Sequence, residues 1–265
     1  MNFWTYAAFF IISLGASIIG AICGIGGGVI VKPTLDLFNV ASVSTISFLS
    51  GCMVLSMSCY SVIKGMISKE QKVDMKTDTP LALGAVIGGV AGKQLFDIVK
   101  SASSNPNRVG AVQAICLGII TVGTLLYTVF KDKIPSKNVK NIAVCVVLGL
   151  VLGIMSSFLG IGGGPINLVV LYYFFSMETK KAANSSLYII LFSQLASLLV
   201  TLFTGKVPEF EPLALVVMVV GGILGGIIGR SINKKISSKT VSKLFIGLMA
   251  IIILICVYNA IRFMA

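Results

Sequence analysis

The sequence predicts an all-α polytopic membrane protein, and its hydropathy is the first evidence for that fold class. The 265 residues have a mean hydropathy of +1.00, with 56% hydrophobic and only 11% charged residues. Apolar runs of the length that crosses a bilayer as a helix, roughly 20 residues, recur along the whole chain. Eight runs are long enough to span alone, at residues 4–22, 41–63, 80–99, 109–130, 141–159, 183–204, 212–230 and 243–263.

A glycine motif that occurs twice is the second observation. Residues 24–28 and residues 160–164 both read GIGGG. Glycine in a helix interior costs about 1 kcal/mol per residue relative to alanine, so each motif predicts a helix break. A short apolar piece follows each motif, at residues 29–38 and 165–176, and Pro165 suits the first turn of a new helix. We therefore expect two short segments beside the eight long ones.

The glycine motifs belong to a wider internal duplication. Residues 84–93 (GAVIGGVAGK) match residues 221–230 (GGILGGIIGR) at nearly the same offset. Glycines at this spacing let membrane helices approach closely, and the terminal Lys93 or Arg230 can extend to the membrane surface. We predict two homologous membrane repeats, residues 1–132 and residues 133–265.

The distribution of basic residues predicts the orientation of the repeats. If only the eight long runs cross, the loops on the two sides carry eleven and ten Lys or Arg residues, which is no bias. If both short pieces also cross, the counts become fifteen and five, with Lys32 inside the membrane, as the positive-inside tendency requires. An odd number of crossings in each repeat predicts inverted repeats, as in many secondary transporters, with both termini outside.

Charge and residue content argue against several classes of function. The net charge of +12 comes from basic residues in short loops between apolar runs, so we expect no nucleic-acid partner. The sequence has no histidine, and its nine acidic residues fall in loops or near segment ends, so we expect no buried carboxylate relay and no metal site. Lys32 and Asp36 are interpreted as an interfacial pair. Without a nucleophile–base pair, we predict a protein that is not an enzyme and needs no cofactor.

The two helix breaks define a candidate substrate site. Unpaired N–H groups and helix N-termini attract anions, so two breaks near mid-membrane are expected to converge on one negatively charged substrate. Hydroxyl and amide side chains nearby supply further donors. The alternative is that the glycines serve only close packing of the helices. The predicted substrate-binding residues are Gly26, Gly27, Gly28, Ser44, Thr45, Gly162, Gly163, Gly164, Asn167, Asn184, Ser185, Ser186 and Gln194.

The order of these motifs resembles the sulfite exporter family, TauE/SafE, over essentially the whole chain. The shared pattern is GxGGG early in each half, then a hydroxyl-rich stretch at residues 43–46 (VSTI) and 184–187 (NSSL), then GxxxGGxxG and a cation. The first hydroxyl-rich stretch departs from the family's usual GTSL. The resemblance implies a multi-pass permease of the bacterial plasma membrane for sulfite, sulfonates or sulfoacetate, often exported, and we expect alternating access.

Other functions remain as alternatives at this point. They are a permease or channel for a different small solute or a metal ion, a membrane-embedded enzyme, and a scaffold subunit that transports nothing. Beyond the substrate, the expected partner is the lipid bilayer. The sequence leaves the oligomeric state unknown.

Overall fold

A computed structural model describes residues 3–38, 40–68, 74, 76–102 and 106–264, and every regular element within these ranges is helical. Eight of the helices are long and apolar enough to cross a membrane, which confirms the predicted fold class. The long helices are α1 (Phe3–Cys23), α3 (Val43–Ile67), α4 (Asp78–Ala102), α5 (Pro106–Phe130), α6 (Ile142–Leu159), α8 (Thr179–Phe203), α9 (Pro212–Lys235) and α10 (Ser238–Met264). The short ones are α2 (Gly28–Phe38), α7 (Pro165–Phe175) and a 3-10 turn (Lys131–Lys133) after α5.

Both glycine motifs break the chain between helices, as the sequence predicts. Gly24 and Gly26 have φ of 77° and 75°, and the equivalent Gly160 and Gly162 have φ of 64° and 65°. This left-handed backbone carries a steric penalty for any residue with a Cβ, so the first and third positions of each motif require glycine. In the second copy the break ends at Pro165, the first residue of α7, as expected.

The glycines of α4 and α9 are packing positions. A Cβ on Gly88 or on Gly225 would meet the backbone of the facing helix at a distance that real Cβ atoms do not reach. The close helix approach predicted from their spacing is therefore present. Each glycine-rich helix packs against the first helix of the other half, α4 on α6 and α9 on α1.

Helices α3 and α8 lie at the centre of the protein. Of their spanning windows 56% is buried, against 39–44% for the other six spans. They contact each other, and each also packs on the glycine-rich helix of the other half, α3 on α9 and α8 on α4. Large apolar side chains of the outer helices, such as Ile119 and Leu254, are exposed, as expected for a surface that faces lipid. Buried polar residues of α3 and α8, such as Ser50, Ser58 and Ser186, are thus placed away from lipid.

The short helix α7 turns back toward the side on which the preceding long helix, α6, begins. Beyond the end of α7, the side chain of Ser176 donates to Ser136 Oγ at 2.8 Å, and the N–H of Val139 donates to Phe174 O at 2.9 Å. The segment before α6 therefore lies beside the end of α7, and α6 and α7 form a re-entrant hairpin. This adjacency supports the topology in which both short segments also cross, with fifteen basic residues on one side and five on the other. The topology with only eight crossings places the start of α6 and the end of α7 on opposite sides of the membrane.

The orientation of the repeats stays a prediction, and reporter fusions test it. With the fifteen-to-five topology, a fluorescent protein fused after Lys137 is expected to fold in the cytoplasm and fluoresce, whereas alkaline phosphatase at the same position stays inactive. Fusions after Lys206, in the loop that follows α8, are the matched control and should give the opposite result. Active phosphatase after Lys137 would contradict this topology.

Candidate functional site

The two glycine loops, residues 24–28 and residues 160–164, meet inside the protein. A Cβ on Gly26 would lie 3.5 Å from the carbonyl oxygen of Gly162, and a Cβ on Gly163 would lie 3.1 Å from that of Ile25. Gly28, the first residue of α2, is in equally close contact with Ile161. The two helix breaks are therefore in direct contact, and their convergence on a substrate stays a prediction.

A cavity of about 430 Å³ opens beside this contact. Its wall comes from α3, α4, α8, the end of α6 and the loop between α8 and α9, and it reaches the glycine loops at Gly160. Seven hydroxyl or amide side chains of these helices line it, namely Ser44, Ser47, Ser101, Ser157, Gln194, Ser197 and Thr201. The cavity is therefore polar along the α3–α8 contact.

Three of these side chains have buried polar atoms without a hydrogen-bond partner among the described residues. They are the hydroxyls of Ser47 and Ser157 and the Oε1 of Gln194. Buried polar groups in folded proteins nearly always have a partner, and those without one require an explanation. At the wall of a cavity, the simplest explanation is a polar ligand or water that enters it.

The charged residues of the cavity are mostly basic. Lys93, Lys100 and Lys206 line it together with a single carboxylate, Asp97. Asp97 is shared, because its Oδ1 lies 3.0 Å from Lys93 Nζ and its Oδ2 lies 3.4 Å from Lys206 Nζ. Three cations against one anion give the described lining a positive potential that attracts negatively charged solutes.

The structure divides the predicted side-chain residues between the cavity and the helix packing around it. Ser44 and Gln194 line the cavity. Thr45 does not line it; its hydroxyl donates to the carbonyl of Glu209 at 2.9 Å and so anchors the loop between α8 and α9. Thr45 and Ser44 also border a second cavity, which the same loop helps to line.

The remaining predicted polar residues lie at the start of α8 and on α7. Asn167 donates from its Nδ2 to Ser186 Oγ at 3.4 Å, which links α7 to α8. Ser185 is hydrogen-bonded to Asp78 at the start of α4. Asn184 is half-buried one residue earlier. A role for these four residues in binding stays a prediction.

The six predicted glycines are buried in the packing of the two loops. Gly27 contacts Met53 of α3, and Gly163 contacts Ile190 of α8. Among the residues that line the 430 Å³ cavity, the glycine loops contribute Gly160 but none of these six. Direct contact between substrate and Gly26, Gly27, Gly28, Gly162, Gly163 or Gly164 stays a prediction.

Sequence reasoning missed several residues of the cavity. Ser157, Ser197 and Thr201 are ordinary hydroxyl residues of apolar helices, and sequence alone does not separate them from packing residues. A signal was present for Ser157, which precedes the second glycine motif by three residues. Lys93 was assigned to the membrane surface, whereas it lines the cavity beside Asp97.

Two acidic residues lie near segment ends, as expected, but are buried. Asp36 is 6% exposed and Asp78 is 1% exposed. The pair of Lys32 and Asp36 is enclosed by protein, because α2 packs against α1, α3 and α10; that it lies at the membrane surface stays a prediction. Within the described ranges, no group of three or more His, Cys, Asp or Glu side chains gathers as a set of metal ligands.

Eight spanning helices, broken helices that meet at the centre and a polar cavity beside them define a membrane transport protein. The family Sulfite exporter TauE/SafE matches residues 9–255. The chain belongs to this family, and membership implies a multi-pass membrane transporter of sulfur-containing anions. No curated protein and no solved structure matches the chain.

Proposed function

We propose that the protein is a secondary transporter of small sulfur-containing anions, such as sulfite, sulfonates or sulfoacetate, in a bacterial plasma membrane. The observation that carries the proposal is the cavity, which combines three lysines and one aspartate with buried hydroxyls that lack partners. A sulfite or sulfonate group presents three acceptor oxygens, which hydroxyl and amide donors bind well. A cation entering this cavity would meet repulsion from the lysines.

The wall supports binding in two stages. Lys206 is the most exposed of the paired cations, with 59% of its side chain accessible, so it attracts the anion at the entrance. Further in, Ser47 and Ser157 donate hydroxyl hydrogens and so replace water around the anion. Gln194 contributes as well, since rotation of its side-chain amide presents the N–H₂ group in place of Oε1.

A difference between the two halves supports alternating access. Lys93 and Arg230 end the two copies of the repeated glycine motif. Lys93 lines the cavity, whereas Arg230 donates from Nη1 to the carbonyl of Ser61 at 2.9 Å and ties α9 to α3. Ser61 and Ser197 both lie eighteen residues after the start of their helices. Ser197 lines the cavity, whereas the carbonyl of Ser61 accepts the hydrogen bond from Arg230. Transport exchanges these two arrangements between the halves, so that the closed side opens as the open side closes.

The proposed function is tested by flux measurements in proteoliposomes. Proteoliposomes that contain the purified protein are expected to accumulate radiolabelled sulfite. Methanesulfonate and sulfoacetate should compete with sulfite for uptake, whereas uncharged solutes and metal cations should not. Flux that is indifferent to anions, or that follows a cation, would contradict the proposal.

Removing the two unpartnered hydroxyls gives a sharper test. A hydrogen bond to a charged group contributes about 1.5–3 kcal/mol, so the double variant Ser47→Ala, Ser157→Ala should raise KM for sulfite by at least about tenfold. Thr121→Val is the matched control, since it removes a buried hydroxyl of α5 that donates to Leu117 O at 2.7 Å, away from the cavity. Equal KM values in the double variant and the control would place the anion elsewhere.

A further inference from the structure

An ion pair lies inside the protein on the short helix α2. Lys32 Nζ is 2.7 Å from Asp36 Oδ2, and the two side chains are only 4% and 6% exposed. Burial of two charges carries a desolvation penalty of several kcal/mol per ion, and ionisable residues within a membrane usually serve function. The pair is also incompletely satisfied, because Asp36 Oδ1 has no hydrogen-bond partner among the described residues.

The ion pair is not the only polar contact that holds α2. Asn259 of α10 donates from Nδ2 to the carbonyl of Pro33 at 2.8 Å, and Arg262 donates from Nη1 to the carbonyl of Leu37 at 2.5 Å. These bonds to the main chain hold the second half of α2 against α10. Contacts other than the ion pair therefore fix this part of α2.

Lys32 lies directly behind the cavity wall. The point that a Cβ on Gly160 would occupy is 2.6 Å from Ser47 Oγ and 3.5 Å from Lys32 Cε. Gly160 and Ser47 both line the cavity. Because Gly160 has no side chain, no side chain at this position separates the cavity from Lys32. Because the lysine stem is flexible, rotation about its last bonds can carry Nζ from Asp36 toward an anion bound at Ser47.

We propose that Lys32 is the cation that binds the negative group of the substrate, and that Asp36 holds Lys32 when no anion is present. This inference rests on the proposed function. Entry of the anion moves Nζ from the carboxylate to the substrate, so Lys32 keeps a counter-charge in both states, whereas Asp36 loses its partner at a desolvation cost. Competition from Asp36 limits affinity, which allows the transporter to release its substrate on the other side of the membrane.

Three variants test this inference with purified protein, using sulfite and methanesulfonate as ligands. Methionine matches the lysine stem without its charge, so Lys32→Met, Asp36→Asn removes both charges and leaves neither one unpaired. The double variant is expected to keep a melting temperature close to that of the wild type and to lose at least 100-fold in anion affinity. Lys32→Met alone should also lose binding, with a lower melting temperature because Asp36 remains buried and uncompensated.

The single variant Asp36→Asn gives the opposite expectation. Removal of the competitor should tighten sulfite binding by tenfold or more and slow turnover, because release becomes harder. A structural ion pair predicts something else, namely lower stability in each single variant and wild-type binding in the double variant. That result, or an unchanged affinity in Asp36→Asn, overturns the inference while the function stands. Absence of anion binding and flux in the wild type overturns the proposed function itself.

Discussion

Replacing Gly88 by leucine is expected to prevent α4 from packing against α6. A Cβ at this position would overlap the carbonyl of Leu150 and lie 2.9 Å from the amide nitrogen of Ile154, and a helix backbone cannot move aside as a side chain can. Overpacking costs typically about 1–3 kcal/mol and more where backbone is displaced, which corresponds to a fall in melting temperature of roughly 10 °C. Thermal unfolding and size-exclusion profiles of the purified variant measure the effect.

Gly123→Leu is the matched control for this experiment. Gly123 lies in α5, another spanning helix, and a Cβ there would meet nothing within 4 Å. The same gain in side-chain volume and apolar surface should therefore leave the melting temperature near that of the wild type. If both leucine variants unfold at the same temperature, the contact between α4 and α6 is not the cause.

Replacing Gly160 by alanine is expected to reduce both stability and transport. Gly160 has a φ of 64°, and this left-handed backbone costs an L-residue about 1–2 kcal/mol. In addition, the new Cβ would lie 2.6 Å from Ser47 Oγ, so the hydroxyl must leave its place at the cavity wall. Proteoliposome flux of sulfite should fall at least about tenfold, as for the loss of one hydrogen bond to a charged group.

Gly205→Ala separates the backbone penalty from the effect on the cavity. Gly205 has the same φ of 64°, but a Cβ there meets nothing within 4 Å. This variant should lose stability by a comparable backbone penalty and transport sulfite at the wild-type rate. Equal loss of flux in the two variants would show that strain, rather than the displacement of Ser47, lowers transport.

The prediction of the fold succeeded where the signal is local. Long apolar runs set the eight spanning helices, because hydrocarbon selects helices of that length regardless of their neighbours. The breaks at residues 24–28 and 160–164 were equally readable, since successive glycines disfavour a helix through their own backbone freedom. The glycine spacing in α4 and α9 also predicted close packing, although not the identity of the partner helices.

The candidate site was predicted only in part, because its residues come from several distant segments. Ser44 and Gln194 were predicted as polar residues of the apolar runs that follow the breaks, whereas Ser197 and Asp97 carry no local mark of a cavity. The position of each loop glycine relative to the cavity depends on how α3 and α8 pack. Val54, for example, contacts Gly162 across that interface.

By itself the sequence determined a helical membrane protein with repeated glycine motifs, two broken helices and membership of a transporter family. Only the tertiary structure decided that α7 turns back beside the start of α6, that the cavity meets the loops at Gly160, and that Lys32 and Asp36 are buried. The physical reason is the range of the interactions. Hydropathy and backbone preference act within one segment, whereas burial, cavity shape and the environment of a charge depend on every helix that packs around it.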